Sequence, residues 1–262
     1  MTTFFEALAR RSAELDSLVC VGLDPDFGRH AVAGVSGYLR GIIEETLPYA
    51  ACYKPNIAFF EQWGVAGLRQ LEATLRAIPD GVPIIGDVKR GDMGNTSEAY
   101  ARAMFREWGF DAVTLAGYQG LDSVSPFLAY EGKGVYVLCR TSNPSSAEFQ
   151  ALELANGRRL FEEVAVVASA WSPSVGLVVG ATAPEELRRV RELVPETPLL
   201  IPGVGAQGGT AQDVVAAAGY VPGKMVVNSS RAILYAGGGT GQRGAAGVAA
   251  QELRDQLRAA RA

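Results

Sequence analysis

Within DVKRGDMGNT, residues 87 to 96, two carboxylates and an amine, Asp87, Lys89 and Asp92, fall within six positions of one another. The apolar run GVPIIG at 81 to 86 reads as a buried strand leading into an extended turn. Side chains two apart on a strand share a face, so Asp87 and Lys89 are expected to point the same way, with Asp92 following the Gly91 bend. Two carboxylates held together repel and raise one pKa, whereas an ammonium between them keeps both ionised and stays protonated itself. That is the chemistry of a poised proton donor. Taken alone, the pattern fits a solvated surface ion pair equally well, so the elements that position it decide its meaning.

A chain of 262 residues with 48% hydrophobic content buries a substantial core, and its length fits a single α/β barrel domain spanning 1–262 as well as two smaller domains. The formal net charge of -4 leaves no basic footprint for a nucleic-acid polymer or an anionic membrane, while still allowing a local pocket for one phosphate. Small-molecule partners are therefore expected. No apolar stretch approaches membrane-spanning length, and the N-terminal MTTFFEALARRSAELDS is amphipathic and charged, unlike a signal peptide, so a cytoplasmic location is expected. Cys20, Cys52 and Cys139 lie far apart in strand-like apolar runs and read as buried thiols, not disulfides or metal ligands. His30 is the only histidine. Imidazole-based zinc chemistry lacks ligands, and any histidine base would have to be that one loop residue.

Eight β-rich apolar runs recur along the chain: SLVCVGLD, ACYKPN, VPIIGDVK, DAVTLAG, GVYVLCRT, VGLVVGA, PLLIPGV and KMVVNSS. They alternate with amphipathic segments such as GYLRGIIEETLPYA, GLRQLEATLRAIPD, SEAYARAMFREWG, EFQALELANGRRLFEEVAVVASAW and PEELRRVRELV. Periods of two and 3.6 in alternation are the mark of βα units, and eight regular units favour a closed (β/α)8 barrel over an open doubly wound sheet. An extra helix is expected at each terminus. The glycine-rich AGGGTGQRG, residues 236 to 244, reads as a mobile loop.

In a parallel barrel the C-terminal strand ends converge on one mouth, and polar residues recur there. Asp24 follows the first strand, Lys54 ends the second, Asp87 and Lys89 the third, Ser142 and Asn143 follow the fifth, Gln207 the seventh and Arg231 the eighth. Pro55 forces Lys54 into an extended conformation and fixes its direction. IPGVGAQGG, residues 201 to 209, could admit an anion to its backbone amides, with a helix starting near Thr210. NSSRAIL, residues 228 to 234, sets Ser229, Ser230 and Arg231 at the start of the last short helix, where barrels often hold phosphate. Each of these is also compatible with an ordinary turn or helix cap.

GLDPD, YKPNIAFFE, DVKRGDMGNT, VTLAGYQG, CRTSNPSS, IPGVGAQGG and NSSRAIL together resemble the orotidine 5'-phosphate decarboxylases, in their order and almost end to end. The bacterial branch carrying DxKRGDxGxT is the nearest in pattern, with Met93 standing where isoleucine or valine is usual. The resemblance implies decarboxylation of orotidine 5'-monophosphate to uridine 5'-monophosphate on a homodimeric (β/α)8 barrel without cofactor or metal. It implies an alternating charged network of Lys54, Asp87, Lys89 and the second subunit's copy of Asp92, with Lys89 as proton donor. It further implies ribose contacts from Asp24 and, across the interface, Thr96. Ser142 would read the pyrimidine edge, Gln207 would bridge base and phosphate, and Ser230 with Arg231 would hold the phosphate. Magnesium-dependent barrels acting on sugar phosphates resemble the same DxKxxD pattern, but they place a metal-binding carboxylate where this chain has Lys54, whose charge would repel the ion. A noncatalytic nucleotide-binding barrel would have little reason to retain every charged residue of the network.

Overall fold

The computed structural model describes residues 2–205, 208–238 and 244–261. Each apolar run forms a strand: β1 (Val19–Gly22), β2 (Ala50–Lys54), β3 (Ile85–Arg90), β4 (Ala112–Leu115), β5 (Gly134–Arg140), β6 (Val175–Val179), β7 (Leu199–Pro202) and β8 (Met225–Ser229). The helices are α1 (Phe4–Leu15), α2 (Val35–Thr46), α3 (Ala58–Glu61), α4 (Gly64–Leu75), α5 (Gly94–Arg102) and α6 (Leu121–Leu128). They continue with α7 (Ala147–Gln150), α8 (Leu160–Ser169), α9 (Pro184–Leu193), α10 (Ala211–Ala218), α11 (Arg231–Leu234) and α12 (Ala245–Ala259). All strand pairs are parallel, in the spatial order β2-β1-β8-β7-β6-β5-β4-β3.

The wall closes between β2 and β3 through the isolated bridges Tyr53 to Ile84 and Asn56 to Asp87. This seam is thin for a chemical reason. Pro55 and Pro83 have no amide hydrogen to donate, so each serves only as an acceptor, from Asp87 N at 2.9 Å and from Tyr53 N at 3.1 Å. The expected (β/α)8 barrel is therefore the architecture, with helices outside a ring of eight parallel strands.

Alternation along the strands divides the core in two. Val19, Val21, Val113, Val135, Val137, Leu177, Leu199 and Val227 face the helices, while Cys20, Ile85, Ala112, Tyr136, Val178, Leu200 and Val226 fill the barrel interior. The three cysteines are buried free thiols, as their surroundings in the sequence imply. Helix α1 plugs the N-terminal end: Phe4 and Leu8 join the interior cluster, and the Phe4 ring meets Tyr136 edge-on at 6.1 Å. A capping box starts α1, with Thr3 Oγ1 accepting from Glu6 N and Glu6 Oε2 accepting from Thr3 N at 2.8 Å.

Two local expectations need correction. Residues 148 to 171 form two helices, not one: α7 and α8 are separated by a turn in which Gly157 adopts φ of 80° and Glu153 pairs antiparallel with Arg159. Asn156 accepts from Arg158 N at 3.1 Å, a local bond that competes with helix propagation. The third strand also runs further than its apolar residues suggest, through Arg90, so Asp87 and Lys89 lie on β3 itself and not on a turn beyond it.

Candidate active site

A cavity of about 350 Å³ opens at the C-terminal ends of the strands, floored by Leu138, Val178 and Leu200 and rimmed by polar groups. Asp24, Lys54, Asp87, Lys89, Ser142, Ser230 and Arg231 all line it, so seven residues singled out in the sequence meet at one site.

Its centre is a charged relay. Asp87 accepts from Lys54 Nζ at 3.0 Å through Oδ2, and from Lys89 Nζ at 2.6 Å and Thr114 Oγ1 at 2.9 Å through Oδ1. Lys54 is 3% exposed and Asp87 9%, whereas about half of the Lys89 side chain, 48%, is open to the cavity. Burial alone pulls the Lys54 amine down, but the charge of Asp87, helped by Asp24, outweighs it and holds the amine above its ordinary value. Burial likewise pushes the Asp87 carboxyl up, and the two ammonium groups overcome it, leaving it well below the usual carboxylate range. At neutral pH Asp87 is thus ionised and Lys54 is committed to it. Lys89 presents an exposed ammonium to whatever occupies the cavity.

Lys89 also carries backbone strain. Its φ of 44° lies in the left-handed region, which among the described non-glycine residues only the helix-ending Asp16 shares. Opposite it the β3–β4 register slips: Gly86 pairs with Val113 and Arg90 with Leu115, so residues 87 to 89 face the single residue Thr114. Asp87 and Lys89 do share a face, as their spacing implies, but a bulge aims them instead of a regular pleat.

On the other side of the mouth, Asp24 Oδ1 accepts from Asn56 N at 3.0 Å and Oδ2 accepts from Ser230 Oγ. Gly22 makes room for this junction: a Cβ there would fall 1.8 Å from Ser230 Oγ and 3.1 Å from Asp24 Oδ2. Arg231 opens α11 at the cavity edge. Of the glycine-rich β7 loop, Gly203 and Val204 line the cavity, while the amides of Gly205, Gly208 and Gly209 bond within the loop. Gln207 lies outside the described residues, as do residues 239–243 of the glycine-rich segment before α12. The helix expected near Thr210 is α10, which Thr210 caps by accepting from Asp213 N at 3.1 Å.

Ser142 reaches the cavity from the β5 loop, which Arg140 anchors by ion-pairing with Glu186 at 2.5 Å and donating to Thr141 O at 3.0 Å. Asp92 and Thr96 are not among the residues lining this cavity; Asp92 Oδ1 accepts from its own neighbour Met93 N at 2.8 Å, and Thr96 is exposed on α5. His30 lies elsewhere, 4.4 Å from the Tyr38 ring and 5.8 Å from the Tyr235 ring, and burial lowers its pKa against the pull of Asp26.

Four further polar residues line the cavity that sequence reasoning did not select: Asn56, Thr114, Thr141 and Asn228. Asn228 Oδ1 accepts from the Cys20 thiol at 3.5 Å. The available signal was polarity out of phase: Thr114 and Asn228 are hydrophilic side chains at inward positions of otherwise apolar strands.

A family model described as orotidine 5'-phosphate decarboxylase / HUMPS family matches residues 17–242. The orotidine 5'-phosphate decarboxylase of Delftia acidovorans is 45% identical over 273 residues, covering 99% of both chains. That of Halorubrum lacusprofundi is 48% identical over 276 residues, covering 97% of this chain and 98% of its own. Among solved structures, the OMP decarboxylase of Leishmania donovani superposes with a TM-score of 0.89 at 39% identity and 99% coverage of each chain.

Proposed function

Because this chain belongs to the orotidine 5'-phosphate decarboxylase / HUMPS family and decarboxylates orotidine 5'-monophosphate to uridine 5'-monophosphate in pyrimidine biosynthesis, we propose that Lys89 is the group that protonates C6 of the pyrimidine. Loss of carbon dioxide leaves an electron pair at C6 with no adjacent carbonyl placed to accept it, so an external positive charge must stabilise the developing carbanion. The Lys89 ammonium, exposed to the cavity and anchored on ionised Asp87, supports that role. At about 4 Å and an effective dielectric near 20, one such charge supplies roughly 4 kcal/mol, or about three decades of rate. The remainder is ascribed to substrate binding energy that is realised as the mouth closes and dries around the charges.

In this reading Asp87 lies against the departing carboxylate, Lys54 orients Asp87 and the ribose, and Asp24 binds ribose hydroxyls. Ser142 reads the pyrimidine edge. Ser230, Arg231 and Gln207 hold the phosphate end. Lys54 separates this chemistry from the metal-dependent branch of the family: its ammonium sits 3.0 Å from Asp87, where a divalent ion would need a carboxylate partner. Turnover is therefore expected to survive exhaustive chelation unchanged, and loss restored by magnesium would favour the sugar-phosphate chemistry.

The enzyme is further proposed to be a cytoplasmic homodimer that completes each site with Asp92 and Thr96 of the second copy. Apolar side chains beside those residues support this, with Met93 58% and Tyr118 95% exposed. The two loops that carry them abut, since a Cβ on Gly91 would come within 2.9 Å of Ala116 O.

The deciding experiment is Lys89→Ala assayed by the absorbance change of orotidylate. The variant should fold and bind UMP, yet show almost no turnover; near-normal turnover would remove Lys89 from the mechanism.

A further inference from the structure

We infer that Thr114 is a positioning residue for the proton donor, its one hydroxyl fixing both the backbone that carries Lys89 and the carboxylate that anchors the Lys89 ammonium. The inference rests on the reading of Lys89 given above and extends it to a residue on another strand.

Thr114 Oγ1 makes three hydrogen bonds. It accepts from Val88 N at 3.0 Å and from Lys89 N at 3.0 Å, and donates to Asp87 Oδ1 at 2.9 Å. A hydroxyl has one hydrogen and two lone pairs, so this set uses its whole capacity. Direction follows as well. Because two of the partners are amide donors, the hydroxyl hydrogen has to point to Asp87, which must then be an acceptor and therefore fits as the ionised carboxylate.

The arrangement answers a problem created by the bulge. With residues 87 to 89 set against Thr114 alone, β4 has too few backbone carbonyls for the amides of Val88 and Lys89. The threonine oxygen takes both. Arg90 holds the opposite side of the bulge by donating from Nη1 to Val88 O at 3.0 Å, and is itself tied to Glu61 at 3.0 Å. Lys89 can therefore stay at φ of 44°, an unfavourable conformation for any residue that carries a Cβ, while its ammonium reaches Asp87 Oδ1, the oxygen that Thr114 also bonds. Without the hydroxyl, the amides of Val88 and Lys89 lose this shared acceptor, and relaxation of residue 89 toward negative φ would swing its side chain away from the cavity.

Thr114→Val keeps the shape and removes all three bonds, whereas Thr114→Ser keeps the bonds and removes a methyl. The expected result is a kcat at least 30-fold lower for Thr114→Val, with UMP affinity and KM within threefold of the parent, and a kcat within threefold for Thr114→Ser. A second readout is the exchange of the UMP C6 hydrogen with deuterated solvent, which requires a correctly aimed Lys89 but no decarboxylation; it should fall in parallel in Thr114→Val and be preserved in Thr114→Ser. Thr114→Ala serves if the valine variant does not fold. Retention of kcat in the valine or alanine variant overturns the inference, as does equal loss of UMP binding and turnover, which would mark a merely structural role. Lys89→Ala assayed alongside separates the two levels: if it stays active the reading of Lys89 has failed, whereas if it is dead and Thr114→Val is unaffected only the role of Thr114 has failed.

Discussion

Replacing Lys54 by methionine keeps most of the side chain's volume but removes the charge that holds the buried Asp87 carboxylate from the β2 side. Breaking a buried pair in this way should cost about 3 to 5 kcal/mol of stability at neutral pH, read by urea unfolding. The pH dependence of the parent follows from the signs of its two shifts. Asp87 is depressed when folded, so its contribution is complete above the unfolded carboxyl range and is lost as pH falls below about 4 toward the folded value. Lys54 is raised when folded, so its contribution is complete below about 10 and is lost as pH rises through the folded value. The pair should therefore contribute a flat plateau between those limits, and Lys54→Met should lose the steep acid limb. Equal acid sensitivity in parent and variant would dissociate the pair from the limb. Gly22→Ala is a separate residue-scale test: its methyl collides with Ser230 Oγ and crowds Asp24, so UMP binding should weaken at least tenfold, measured by calorimetry, while Lys54 and Asp87 remain in place.

Helix α1 contributes no residue to the cavity lining, yet it fills the far end of the barrel. Leu8→Ala should accordingly cost about 2 to 5 kcal/mol in thermal or urea unfolding and leave kcat within twofold. At this scale the strands and outer helices were legible in the sequence because each is a contiguous apolar pattern with its own period. The strand-end residues Asp24, Lys54, Ser142 and Arg231 were legible for the same reason, since position along one strand suffices to place them at the mouth. What escaped depends on relations between strands. A register slip of β3 against β4 leaves no trace in the residues of β3, so neither the left-handed Lys89 nor the threonine opposite it could be read from DVKRGDMGNT. The break between α7 and α8 was masked by apolar periodicity on both sides, although the Asn156-Gly157 pair marked the turn.

For the molecule as a whole, the proposed sharing of sites has a sharp test. Protomers carrying Lys89→Ala and protomers carrying Asp92→Ala, each inactive alone, should regain activity when mixed, with one intact site per heterodimer; confirmed heterodimers without activity would reject sharing. Within one chain, the barrel wall is sealed unevenly. Between β2 and β3, where the proline carbonyls accept and no proline amide can answer, the Lys54 to Asp87 ion pair bridges the gap that ladder bonds leave.

That seam sets a limit on engineering. Stiffening this wall by exchanging the ion pair for interlocked apolar side chains, a route that strengthens many buried pairs elsewhere, would toughen the protein by dismantling its reaction centre. Selection for heat resistance in this scaffold should consequently spare the junction of the second and third strands and settle its gains on the opposite arc of the barrel.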